Sequence, residues 1–339
     1  MKLGLFMNTH GIGATVDEQW TLQPVPAEDM APLTLARQAE AGGLDSLWFS
    51  DHVLVTIDSA SLHNSADLET GQRAYAPSPD LLDCCVTMGA VAAVTERVQL
   101  GTSVLIAPYR HPLSDARRLS TIEALAPGRL IAGIGAGWLR EEFEALGVDY
   151  DHRVAVTAEC IEVYKRCWRD RVVSFQGEHF SFSDVSMDPK PATQPPIVFG
   201  GVTNLAARIA ARHCDGFYPT FVDTKAEPKR YDSVLIELEK ELDRVGRSTA
   251  DMTLLAVVSA RVLDANRTAD DRAFCKGTAE EVIEDMAALG KQGFSHLVVH
   301  LDCRSGTVTE LLEQTARLSE QVAPHVRGLT PFGGWGSSI

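Results

Sequence analysis

Residues 129–147 read Arg-Leu-Ile-Ala-Gly-Ile-Gly-Ala-Gly-Trp-Leu-Arg-Glu-Glu-Phe-Glu-Ala-Leu-Gly, and the fold turns on how they are read. Leu130 to Ile134 is a short apolar run that suits a strand buried on both faces. Gly133, Gly135 and Gly137 clear side chains from its end, so a flat ligand can lie against bare backbone. Leu139 to Leu146 has helical composition, and Gly147 supplies a stop. A strand that ends in a stripped turn and feeds a helix is how parallel α/β proteins build ligand sites. A dinucleotide fingerprint, G-x-G-x-x-G, fails on spacing: its third glycine falls on Trp138 or on Arg140. A large side chain there would hold helix off strand, so a Rossmann domain is rejected.

Outward from this stretch the same unit recurs. Short apolar runs at 3–8, 47–49, 98–104, 130–134, 197–199, 216–218, 254–260 and 296–300 read as eight strands. Helical stretches separate them, near 29–42, 79–95, 113–125, 154–168, 204–213, 225–245, 278–290 and 307–322. With no composition break along 339 residues, this predicts a single (β/α)8 TIM barrel over residues 1–327. Two insertions interrupt it: a long polar loop at 53–79, expected to cover an active site, and a hairpin with an extended Pro-rich segment at 172–196. The polar stretch after strand one is expected to be a loop. The Gly/Ser-rich tail, 328–339, is expected to be loose or to tuck onto a neighbour through Trp335.

The net charge of −15, from 31 basic and 46 acidic residues, comes without a Lys/Arg block and excludes nucleic-acid or anionic-membrane binding. No run of about 18 apolar residues predicts a membrane span. The seven cysteines are odd in number, scattered and without C-x-x-C, which predicts free thiols in a cytoplasmic protein. The first residues lack the apolar core of a signal peptide.

In a barrel of this kind the site lies at the C-terminal strand ends. The strand reading puts Asn8, His10, Asp51, His52, Ser103, Ala136 to Trp138, Gly200 to Asn204, Thr220 and His300 to Asp302 there. Three histidines and an aspartate at one mouth raise metal-assisted hydrolysis. That chemistry wants a His-x-His pair on strand one and a bridging Lys or Glu on a middle strand. Thr9-His10-Gly11 and the middle strands supply neither, so no metal is expected. Gly200-Gly201-Val202-Thr203-Asn204, opening a helix, is a candidate phosphate cradle. Its free backbone N–H groups point at an anion and Thr203 adds a hydroxyl.

Several motifs together carry a resemblance. They are Ser50-Asp51-His52 after Leu-Trp-Phe, Leu100 to Val104 before Arg110-His111-Pro112, and Gly133 to Trp138 before Arg140-Glu141-Glu142-Phe143. Gly177 to Phe180, and Pro195-Pro196-Ile197 running into Gly200-Gly201, complete the set. In this order, over residues 3 to about 325, the chain resembles the bacterial luciferase-like monooxygenase superfamily, most closely its branch dependent on the deazaflavin coenzyme F420. The resemblance implies a barrel that holds a flavin-type ring at its mouth, commonly as a homodimer. It implies that Asp51 and His52 face the ring, with His52 as proton donor or acceptor, and that Ser103-Val104 is a non-proline cis peptide behind the ring. Ala136 and Gly137 correspond to backbone at the ring, Gly200, Gly201, Val202 and Thr203 to a phosphate loop, and His300 to a histidine near the mouth.

Two departures bear on the substrate. Sugar-phosphate dehydrogenases of that branch carry a carboxylic acid where this chain has Trp138, and a tryptophan where Val53-Leu54-Val55 stands. A mouth of Trp138, Leu54 and Phe221 points to an uncharged, apolar small molecule. The expected activity is F420-dependent hydride transfer, with His52, Asp51, Trp138, His10 and His300 as candidate catalytic residues. The alternatives are a monooxygenase that takes reduced FMN from a separate flavin reductase and uses oxygen, and a barrel that binds flavin without turnover.

Overall fold

The structure is a computed structural model that describes all residues except 17–18, 56–79, 220–227, 266–271 and 338. Eight strands form one closed parallel barrel: β1 (Lys2–Phe6), β2 (Ser46–Phe49), β3 (Gln99–Thr102), β4 (Leu130–Gly135), β5 (Ile197–Gly200), β6 (Gly216–Tyr218), β7 (Thr253–Val262) and β8 (His296–Leu301). Each strand pairs with the next, and β8 closes on β1 with Leu3 opposite Leu297. Around them run α1 (Pro32–Ala41), α2 (Cys84–Ala92), α3 (Pro112–Leu125), α4 (Arg140–Leu146), α5 (Arg153–Arg169), α6 (Asn204–His213), α7 (Pro228–Arg244), α8 (Ala279–Lys291) and α9 (Val308–Arg317). This is the (β/α)8 architecture that the alternation of short apolar runs and helices predicts.

Two apolar layers hold the barrel. The larger lies between strands and helices; the smaller fills the interior with Trp48, Ile131, Val198, Tyr218, Leu255, Val257 and Val298. Trp48 fits because its neighbours are bare: a Cβ on Gly101 would meet its ring at 2.4 Å. Its indole N–H donates to Ser46 Oγ at 2.7 Å, and Ser46 Oγ lies 2.7 Å from His296 Nε2, so the buried polar atom is satisfied. Burying an indole of this size contributes about 4–6 kcal/mol.

Local signals set the helix ends. Asp83 caps α2 by accepting from Val86 N, so this helix begins five residues beyond the expected Pro79. Thr278 and Glu281 form a capping box on α8, and Gly147, at φ 70°, ends α4 in the left-handed region. Two antiparallel hairpins stand outside the barrel. Val173–Gln176 with Ser181–Val185 is the expected one; Ile12–Val16 with Gln19–Gln23 occupies the stretch expected to be a polar loop. Residues 56–79 of the expected covering loop lie outside the described residues, as do Thr220, Phe221 and the expected start of the helix near 225. The tail folds back on its own chain: Gly336 N donates to Met252 O at 3.0 Å, Trp335 lies against Gly293, and Ile339 joins the interior cluster.

Candidate active site

The C-terminal strand ends bring together the segments expected at the mouth. Asp51 and His52 follow β2, Ser103 and Val104 follow β3, Ala136 to Trp138 follow β4, and Gly200 to Thr203 join β5 to α6. The Ser103–Val104 peptide is cis, the form that the resemblance implied. Val104 stands between β4 and β5, where a Cβ on Gly135 would meet its Cγ2 at 2.3 Å and one on Gly200 its Cγ1 at 2.6 Å. The glycines therefore make room for the Val104 side chain at the ends of β4 and β5. Behind it Ser103 Oγ is 3.0 Å from Tyr218 Oη, which gives a buried phenol its partner. Gly137, at φ 78°, has no room for a side chain, since a Cβ would meet Phe143 at 2.8 Å. These residues fit a planar ring laid against backbone.

Thr203 is the N-cap of α6, and its Oγ1 accepts from Ala206 N at 3.2 Å. The hydroxyl keeps its own proton to donate, so the cap and an anion contact are compatible.

His52 is held by a residue that the sequence reading passed over. Its Nδ1 lies 2.7 Å from Glu142 Oε2, which also accepts from Tyr109 Oη at 2.5 Å. Glu142 Oε1 accepts from Val53 N at 2.7 Å and Leu54 N at 3.2 Å. Burial alone would raise this carboxyl, but the hydrogen bonds and charge of His52, with Tyr109 and the backbone donors, hold it below its ordinary value. The signal was there to find: Glu142 lies on the same helix face as Leu139, Phe143 and Leu146, where a carboxylate is out of place without a partner. The His52 ring meets Trp138 edge to face, centroids 6.0 Å apart.

Asp51 is engaged by protein groups. It is 2% exposed, and both its oxygens are bound by Arg110, each at 2.7 Å. Oδ2 also accepts from Ile106 N at 3.0 Å. The carboxylate thus ties the segment after β3 to the end of β2. His10 joins Asp51's neighbour, since its Nδ1 bonds Ser50 Oγ, which lies 3.0 Å from Thr9 Oγ1. Phe6 lies between two candidate histidines, with ring centroids 5.7 Å from His10 and 4.7 Å from His300.

Burial pulls the His300 imidazole down to about 4 and that of His296 to about 3, so both are neutral at ordinary pH. Below about 6.5 the unfolded chain takes up protons there that the folded chain refuses, so stability falls as pH falls. Asp115 works the other way, because burial raises it to about 6 and the folded state protonates first. Between pH 7 and 5 the two histidines together cost about 4 kcal/mol and Asp115 returns about 1, for a net loss of about 3 kcal/mol. Urea unfolding at both pH values checks this, and His300→Asn is expected to flatten the slope by about half of the histidine contribution, about 2 kcal/mol.

The sequence profile of the luciferase-like monooxygenase family matches residues 1–326. The F420-dependent glucose-6-phosphate dehydrogenase of Kineococcus radiotolerans is 33% identical over 229 residues, which is 66% of this chain and 62% of that protein. The enzyme of the same name from Nakamurella multipartita is 31% identical over 256 residues, 73% of this chain and 69% of that protein. Among solved structures, an F420-dependent secondary alcohol dehydrogenase in complex with an F420–acetone adduct superposes with a TM-score of 0.72 at 18% identity, covering 96% of this chain and 99% of its own. The oxygenating constituent of 3,6-diketocamphane monooxygenase from Pseudomonas putida, in complex with FMN, gives 0.71 at 16%, covering 98% and 100%. At such identities these structures speak for the shared barrel alone. With the profile spanning nearly every residue and two relatives above 30% identity, the chain belongs to the luciferase-like monooxygenase family.

Proposed function

We propose that the protein is an oxidoreductase that binds coenzyme F420 at the barrel mouth and transfers a hydride to or from a small, uncharged, apolar substrate. The observation that carries this reading is the cis Ser103–Val104 peptide, with Val104 seated between Gly135 and Gly200 and His52 held at the end of the adjacent β2. Val104, Ala136 and Gly137 would back the ring, and Gly200 to Thr203 at the start of α6 would take its phosphate. When bound, the deazaflavin supplies hydride donation or acceptance. His52 supplies the proton, given or taken at Nε2, because its Nδ1 is committed to Glu142. His300, neutral and buried, can orient a substrate oxygen without adding charge. Asp51 serves by anchoring the segment that carries Val104.

The two curated relatives both depend on F420 by name, which favours that cofactor over FMN. Their substrate is another matter. Trp138 packs against His52, and Phe6 lies between His10 and His300, so the walls are aromatic. Arg261 and Lys276, at the β7 end, are each tied to a carboxylate, Glu310 at 2.6 Å and Asp302. Lys276 is engaged in this way, whereas Arg261 bonds Glu310 through Nη2 alone and keeps Nε and Nη1 buried without a hydrogen-bond partner among the described residues.

The reading carries with it a homodimer and a cytoplasmic location; the latter is supported by seven cysteines that are all free thiols. Among the described residues no helix is long and apolar enough to cross a membrane. The test is anaerobic turnover of F420-loaded protein with a panel of apolar secondary alcohols and with glucose 6-phosphate. Turnover of an apolar alcohol is expected. Turnover only with reduced FMN and oxygen would favour the monooxygenase reading, which calls for a separate flavin reductase. No turnover in either arm would leave a flavin-binding barrel.

A further inference from the structure

We infer that Glu142 is the positioning residue that fixes the His52 tautomer, placing the proton on Nδ1. The inference rests on reading His52 as the proton-transfer group, and the test below separates the two. Glu142 is fully buried at the start of α4, 90 residues along the chain from His52. Its two oxygens meet four partners. Oε1 faces Val53 N–H and Leu54 N–H, which can only donate. Oε2 faces the Tyr109 hydroxyl and His52 Nδ1. A carboxylate has about four acceptor sites and no proton to give, so all four partners must act as donors. His52 Nδ1 therefore carries hydrogen, and Nε2 is the nitrogen that takes up or releases the reacting proton. A proton gained at Nε2 gives an imidazolium whose charge is met by the buried carboxylate 2.7 Å from Nδ1.

The same side chain also holds the backbone that follows His52. Val53 and Leu54 are the first residues beyond His52, at the root of the segment that leads into residues 56–79. Glu142 thus sets the root of that segment and the orientation of the imidazole with one side chain, and Tyr109 holds it from the far side against Phe143, ring centroids 4.8 Å apart.

Glu142→Gln tests the assignment with shape retained. Two backbone N–H groups face one end of the amide, so its oxygen must turn to them and its NH2 must turn to His52 and Tyr109. Nδ1 then has to accept, and the proton moves to Nε2. In histidine-labelled protein, with His52→Ala to assign the signal, the 15N shifts of His52 should report the Nδ1–H form in the wild type and the Nε2–H form in Glu142→Gln. Tyr109→Phe, which removes one donor and leaves the carboxylate, should keep the Nδ1–H form. The kcat of Glu142→Gln should fall at least about 100-fold, with KM within about threefold. An unchanged tautomer in Glu142→Gln, or one that flips in Tyr109→Phe, would overturn the role of Glu142. A flipped tautomer with full turnover would uphold Glu142's control of the ring and sink His52 as the proton carrier.

Discussion

His52→Ala is expected to lower kcat by about 10²–10⁴-fold while cofactor affinity changes by less than about threefold. The imidazole is the proposed proton carrier at this mouth, and its Nδ1 is bonded to Glu142. Loss of the ring removes one of four donors from a buried carboxylate, so a stability loss of about 1–3 kcal/mol should accompany it. Thermal melts separate that loss from the kinetic one, since a folded variant with bound cofactor and no turnover isolates the chemistry. Steady-state kinetics on an identified substrate gives the answer. Full turnover would end the assignment of His52 and favour another proton source.

The second large effect concerns stability. Asp51→Ala would strand Arg110, whose two terminal nitrogens both bond the lost carboxylate and whose side chain is only 18% exposed. Removing one partner of a pair this buried costs about 3–5 kcal/mol, because the remaining charge has little water to turn to. The backbone N–H of Ile106 loses its acceptor as well. Urea unfolding of Asp51→Ala, Arg110→Ala and the double variant should show the double variant less destabilised than the two losses together. Equal losses that simply add would mean that the pair does not couple. The cofactor shelf should suffer too, since Ile106 and Val104 lie on the same short segment between β3 and α3.

The barrel was legible because each of its eight strands is a short apolar run buried on both faces, and burial of that kind leaves a continuous signal in the chain. Trp48 inside and Leu47 and Phe49 outside are all apolar for this reason. The hairpin at Ile12–Val16 and Gln19–Gln23 was not legible. Gly11 precedes its first strand and Gly13 interrupts it, and a two-stranded unit outside the barrel needs no long apolar run. At the site, the motif around Ser50-Asp51-His52 falls at the C-terminal end of β2, and its two ionisable residues take different partners. Asp51 and His52 are neighbours in sequence, yet one bonds Arg110 and the other Glu142, partners 59 and 90 residues away. Which carboxylate meets which cation is decided by the closure of the barrel, and a single chain read in order does not display that closure. Both partners stood inside stretches already singled out, Arg110-His111-Pro112 and Arg140 to Phe143. Only the geometry shows that they converge on the adjacent pair at the end of β2.

The central claim is that Asp51, His52, Val104, Gly135 and Gly200 enclose one place for a flavin-type ring. Equilibrium titration of the purified protein with F420 and, separately, with FMN tests it most directly, with Gly135→Val as the comparison. The added side chain would point at Val104, where even a Cβ would come to 2.3 Å. The account predicts saturable binding of F420 at one per chain, lost by at least about 100-fold in a Gly135→Val variant that remains folded. Binding of neither cofactor by the wild type, or equal binding by wild type and variant, would contradict it.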